Sequence, residues 1–153
     1  MTESTNTLEA QLEADLRQAM RDRNNTAKIA LRAVKTTLTE ARKAGADHAL
    51  SDEQIVMLIQ REVKRRRESA AEFAKLGAPD KAEAELAEVA VLDKYLPQQL
   101  DEAAVEVLVR EAIAQIGATS PRELGKVMAA VMPRVQGVAD GKVVNQIARR
   151  LLG

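Results

Sequence analysis

Residues 50–77 read LSDEQIVMLIQREVKRRRESAAEFAKLG, and the periodicity of this stretch decides the fold class. Ser51 followed by Gln54 is a capping box. The serine oxygen takes an amide of the first turn, and the glutamine reaches back to the serine amide. Leu50 and Ile55 flank the box as a hydrophobic staple. Ile55, Ile59, Val63, Ala70 and Phe73 then recur at three- and four-residue spacing, which predicts one long amphipathic helix ending at Gly77.

The same signal repeats on both sides. Leu8, Leu12, Leu16 and Ala19 form an earlier stripe. Ala27, Leu31, Val34, Leu38 and Ala41 form another, which stops before Gly45. Pro79 suits the first position of a fourth helix running to about Tyr95, because its fixed φ is already helical. Leu96-Pro97 interrupts, since proline disfavours helical geometry in the residue before it and removes a backbone donor. We therefore expect a domain boundary here, with an N-terminal helical domain of about four helices over 1–96.

Three shorter helices are predicted over 97–153. Asp101 caps the first, with Val105, Leu108, Ala112 and Ile116 as its stripe before Gly117. Ser120-Pro121-Arg122-Glu123 is a second capping box, and Leu124, Val127, Met128 and Val131 follow until Pro133 is expected to end the helix. Asp140 caps the last, which buries Val143 or Val144, Ile147 and Leu151. Three such helices enclose a small core.

Composition agrees with an all-α chain. The protein has 153 residues, 46% of them hydrophobic, yet only one Phe, one Tyr and no Trp. Alanine, the best helix former, fills 27 positions. No run approaches the ~18 apolar residues of a membrane span. Residues Met1 to Asn6 are polar and show no signal-peptide core, so a cytoplasmic location is expected.

The residues that catalysis needs are sparse. There is no cysteine, which excludes disulfides and thiolate chemistry. The one histidine, His48, lies in a polar linker. Ser4, Ser51, Ser69 and Ser120 read as tail, cap, helix surface and cap. Gly125-Lys126 and Gly141-Lys142 invite a phosphate-loop reading, but Ser120 and Gln136 stand where that motif needs its first glycine. Glu83, Glu85 and Glu88 read as a solvated helix face. No catalytic residue, metal ligand or cofactor is assigned.

Formal charge is zero, with 23 Lys/Arg against 23 Asp/Glu, but the distribution is uneven. Residues 17–43 hold eight cations and two acids, 68–93 two and seven, and 122–153 six and two. In the N-terminal part, Lys28, Arg32, Lys35 and Arg42 on the second helix, and Arg61, Lys64, Arg65, Arg66 and Arg67 on the third, face an acidic fourth helix. Such basic helices can serve as an RNA face, a membrane-surface face or an ion-paired interface with the fourth helix; ion pairing is the expected use, although Arg66 points into the apolar stripe.

In the C-terminal part, Arg122 and Lys126 project opposite the apolar face of their helix. Lys142, Asn145 and Arg149 do the same on the last helix, and Arg134 lies near the link. Backbone phosphate is the natural partner of such groups, with Asn145 as a neutral hydrogen-bonding addition. Gly125 inside a helix costs roughly 1 kcal/mol relative to alanine. Close approach of either a neighbouring helix or a ligand backbone would account for it, and helix–helix contact is the expected cause.

These residues also carry a resemblance. Leu124-Gly125-Lys126-Val127-Met128, Met132-Pro133-Arg134-Val135 and Gly137-Val138-Ala139-Asp140-Gly141-Lys142-Val143-Val144-Asn145 resemble the C-terminal signature of YqeY-like proteins. Tyr95-Leu96-Pro97-Gln98-Gln99-Leu100, Val63-Lys64-Arg65-Arg66-Arg67-Glu68-Ser69 and Leu31-Arg32-Ala33-Val34-Lys35 extend the likeness over nearly the whole chain. The resemblance implies a C-terminal domain related to the tail of GatB, a subunit of the tRNA-dependent Asp/Glu amidotransferase. That tail helps hold tRNA, while kinase and glutaminase chemistry belong to other domains.

The carbon–nitrogen ligase label given to such families, with glutamine as amide donor, is then inherited from the complex. By the same resemblance Lys126, Arg134, Lys142 and Asn145 are the candidates for RNA contact. Gln136 and Val138 depart from the pattern, standing where basic residues are expected. Two functions follow as expectations. One is a non-catalytic tRNA- or RNA-binding accessory protein; the other is a protein-interaction subunit associated with a glutamine-dependent amidotransferase.

Overall fold

The computed structural model describes residues 7–45 and 49–153, so Ser4 and His48 lie outside the described residues. Among them the chain is all helical. α1 spans Leu8–Arg21, α2 Asn25–Ala44, α3 Asp52–Lys75 and α4 Pro79–Asp93. α5 spans Glu102–Ile116, α6 Leu124–Val135 and α7 Gly141–Leu152, with a 3-10 turn at Pro121–Glu123 before α6. Two compact units result, Met1–Leu96 and Pro97–Gly153.

The helix starts follow side-chain chemistry. The oxygens of Thr7, Asn24, Ser51 and Asp101 each accept an amide hydrogen from the first turn of α1, α2, α3 and α5, and Ser51 with Gln54 forms the full box. These caps satisfy donors that have no partner within the helix. α5 stops at Gly117, which takes a left-handed φ of 73°. Glycine adopts that conformation without a Cβ clash.

In the first unit Leu12, Leu16, Leu31, Val34, Leu38, Ile55, Ile59, Val89 and Leu92 form one aliphatic core. In the second, Val105, Val109, Val127, Val131, Val135, Val144, Ile147 and Leu152 form another. Both are built almost entirely from aliphatic side chains, as the scarcity of aromatics requires.

Three local expectations are corrected. Pro133 does not end its helix; α6 continues through it to Val135. Pro133 lacks the N–H that would bond the Ala129 carbonyl, and both residues are exposed, so that carbonyl is not sealed from solvent. Val109 takes the core position beside Val105 and Ala112, while Ile116 is left 36% exposed on the last turn of α5. Gly125 is not required by helix packing, because a Cβ there would meet nothing within 4 Å.

Candidate functional site

In the second unit the site begins with how α7 is set. Asp140 caps it, Oδ1 accepting from the Lys142 amide at 3.0 Å. At its first position, a Cβ on Gly141 would lie 3.2 Å from Cε of Met132, so the start of α7 seats against the end of α6. The link between them is tied down from the chain's entry side. Gln99 Nε2 donates to the Gly137 carbonyl at 2.9 Å, and the Leu100 amide to the Val138 carbonyl at 2.8 Å.

Val144, Ile147, Ala148 and Leu152 face the core, which turns Lys142, Asn145 and Arg149 together onto one outer face of α7. Lys142 and Arg149 are exposed and Asn145 is half-buried. Among the described residues neither cation has an ion-pair partner.

The other flank of α7 is neutralised. Arg150 donates to Glu106 of α5 at 3.1 Å, and Arg110 reaches the same carboxylate at 2.7 Å. The hydrogen bond from Arg110, then the charges of Arg110 and Arg150, hold the Glu106 carboxyl below its ordinary range. Arg134, also exposed, belongs to this pattern. Its Nη2 donates to Glu111 Oε2 of α5 at 2.9 Å.

Arg122 and Lys126 are exposed at the opening of α6. Between them Glu123 turns back, its Oε2 accepting from the Thr119 amide at 2.6 Å and the Ser120 amide at 3.3 Å. Those two amides, with Lys126 as a smaller contribution, keep the Glu123 carboxyl below its usual range. Lys126 and Arg134 are eight residues apart, about 12 Å along the axis.

The six sequence candidates therefore form three groups. Lys142, Asn145 and Arg149 share a face, Arg122 and Lys126 sit at the entry to α6, and Arg134 is engaged by α5.

The first unit holds a polar arrangement around Arg66, centred on Glu62, a residue that the sequence did not single out. A cleft lined by Thr37 and Glu40 of α2, Glu62, Arg66 and Ser69 of α3, and Glu85 and Glu88 of α4 contains a buried charge network. Glu62 Oε2 accepts from Arg66 Nη1 at 2.5 Å, and its Oε1 from Thr37 Oγ1 at 2.9 Å and from Arg65. Arg66 Nε donates to Glu88 at 3.1 Å. Burial pushes the Glu62 carboxyl up. The hydrogen bonds of Arg66 and Thr37, with the charges of Arg65 and Arg66, outweigh that and leave it below the ordinary value.

Such a carboxylate is held ionised and fully occupied, so its place is structural rather than that of a proton donor. Glu88, read as solvated, is instead an acceptor for a buried guanidinium. The available signal was the i, i+4 pair Glu62–Arg66 on the same face as Ile59 and Val63.

Ion pairing of α3 with α4 is present, through Arg66–Glu88 and Arg67–Asp93. The cations of α2 do not join it. Only Arg42 among them has an ion pair within the described residues, and its partner is Glu9 of α1. Among the described residues no group of three or more His, Cys, Asp or Glu is arranged to hold a metal, and no helix is long and apolar enough to cross a membrane.

Residues 9–152 match the family described as Yqey-like protein. Among curated proteins, the chain is 30% identical over 145 residues to "Altered inheritance of mitochondria protein 41, mitochondrial" of Pyrenophora tritici-repentis (strain Pt-1C-BFP). The match covers 93% of this chain and 79% of that protein.

Proposed function

The chain belongs to the YqeY-like family, and from that premise we propose a non-catalytic protein that binds tRNA or another structured RNA through its C-terminal unit. The observation that carries the reading is the outer face of α7. Lys142 and Arg149 stand there exposed and unpaired on either side of Asn145, while Arg150 on the other flank of α7 and Arg134 of α6 are matched by Glu106 and Glu111. Cations left without acids are the groups that release counterions when phosphate binds.

Gly125 supports it, since the backbone of α6 is open there and a phosphodiester chain can approach. Lys126 supplies a further cation at the same end of α6. The likeness to the GatB tail domain points to tRNA as the RNA, and an amidotransferase as the assembly in which such a domain serves. The cytoplasm is the compartment proposed for this chain.

The test is tRNA binding by the full-length protein across a salt series. Replacing Lys126, Lys142 and Arg149 with alanine should lower the slope of log affinity against log salt by roughly two to three. Unchanged affinity and slope in that variant would overturn the reading. A nuclease-resistant complex with an amidotransferase subunit, formed without any RNA affinity, would replace it with the subunit role.

A further inference from the structure

The α1–α2 hairpin carries cations that neither its own acids nor α4 neutralise. Glu9 and Glu13 of α1 and Lys35, Thr39 and Arg42 of α2 line one groove, where opposite charges meet. Followed toward the turn at residues 22–24, the same two edges change character. One helical turn beyond Glu13 stands Arg17, and then Arg21; on α2, Arg32 and Lys28 precede Lys35. Acid facing base gives way to base facing base.

Four observations show that this end is not balanced locally. Residues 16–36 hold six Lys/Arg and one acid, in a chain whose total charge is zero. That acid, Asp22, accepts from Gln18 Nε2 at 2.9 Å, and Arg21 donates to Gln18 rather than to a carboxylate. Among the described residues Arg17, Arg23, Lys28 and Arg32 have no ion pair. The first turn of α2 carries no acid, although a helix N-terminus favours negative charge.

Backbone geometry adds an independent observation. Arg23 is the one non-glycine among the described residues with positive φ, at 54°. Left-handed geometry costs an L-residue roughly 1–2 kcal/mol, so an exposed arginine occupies a site better suited to glycine or asparagine.

We propose that this corner, formed by Arg17, Arg21, Arg23, Lys28 and Arg32, is a phosphate-binding surface of the first unit for structured RNA. The identity of the ligand rests on the RNA reading above. Four of the five cations are arginines, whose planar forks match phosphate oxygens in pairs. A membrane surface fits less well. The apolar faces of both helices are committed to the core, leaving Met20 and Ile29 as their exposed large apolar side chains. Interfacial helices instead bury a whole apolar face in lipid.

The experiment uses the full-length protein, an unmodified tRNA transcript as probe, and a salt titration. The combined variant Arg17→Gln, Arg21→Gln and Arg32→Gln should bind at least ~10-fold more weakly at ~0.1 M salt, with a salt slope lower by about two to three. The corresponding lysine variant should keep the slope. Arg32→Gln alone, expected to lower it by about one, provides the readout should the triple glutamine variant lose its helical circular dichroism.

Unchanged binding by the glutamine variants overturns the proposal. If the α7 variants lose affinity at the same time, the C-terminal reading survives without it. If only the α1–α2 variants lose affinity, this surface stands and the C-terminal reading falls. Absence of tRNA binding by the native protein removes both. Association with phosphatidylglycerol vesicles that disappears in the glutamine variant, while tRNA binding does not change, assigns the corner to membranes and overturns the RNA proposal.

Discussion

Arg66 enters a stripe of aliphatic side chains, and it is tolerated there because two carboxylates and a helix carbonyl receive it. Removing one member of a buried ion pair leaves an uncompensated charge, which costs about 3–5 kcal/mol. Glu62→Ala should therefore destabilise the first unit by about 3 kcal/mol in urea denaturation, whereas exposed Arg134→Ala should cost less than ~1 kcal/mol despite losing an ion pair.

The sign of the pH dependence follows from the depressed carboxyl. Glu62 lies below its ordinary 4.5 when folded and near that value when unfolded. Its contribution is thus complete at neutral pH, begins to fade as pH drops past the unfolded value, and is lost as pH falls through the folded one. Glu62→Gln should be less stable than the native chain at pH 7, with the gap closing below about pH 4.5. A gap that stays constant from pH 7 to pH 3 would show that Glu62 is not ionised by this network.

α6 contradicts local propensity twice, once at Gly125 and once at Pro133, and the two have different consequences. At Gly125 a methyl group meets open space, so Gly125→Ala should stabilise the second unit by roughly 0.5–1 kcal/mol. If backbone phosphate approaches there, the same substitution should weaken tRNA binding. Stability and affinity then move in opposite directions, a result that improved helix formation alone does not give. Pro133→Ala restores an amide donor for the Ala129 carbonyl in the last turn and should stabilise by about 1 kcal/mol, with little effect on binding.

The helices themselves were legible from the sequence because caps and periodicity agree, as at Ser51–Ile55 and Asp101–Val105. The end of α6 was not, because Pro133 and Ala129 are both exposed, where the missing amide costs least. Nor was the fate of the basic lines. Charge counts along the chain cannot distinguish Arg134, which finds Glu111, from Arg149, which finds no acid; that depends on which flanks of α6 and α7 meet α5.

Each unit has its own aliphatic core, and the consequence is testable in the intact chain. Val131 is fully buried among Val127, Val135 and Val144 in the second core, and Ile59 among Val34, Ile55 and Leu92 in the first. Val131→Ala and Ile59→Ala each remove buried methyl groups and should cost about 2–4 kcal/mol. If the units fold as separate domains, amide exchange will accelerate over α5–α7 in the first variant and over α1–α4 in the second. Loss of protection throughout the chain from either substitution would make them one cooperative body. The distinction bears on the proposed binding, because two binding units joined in one chain would raise each other's effective concentration if both met one RNA. Cations in both units would then contribute to one salt slope, and neutralising either set would lower affinity without abolishing it.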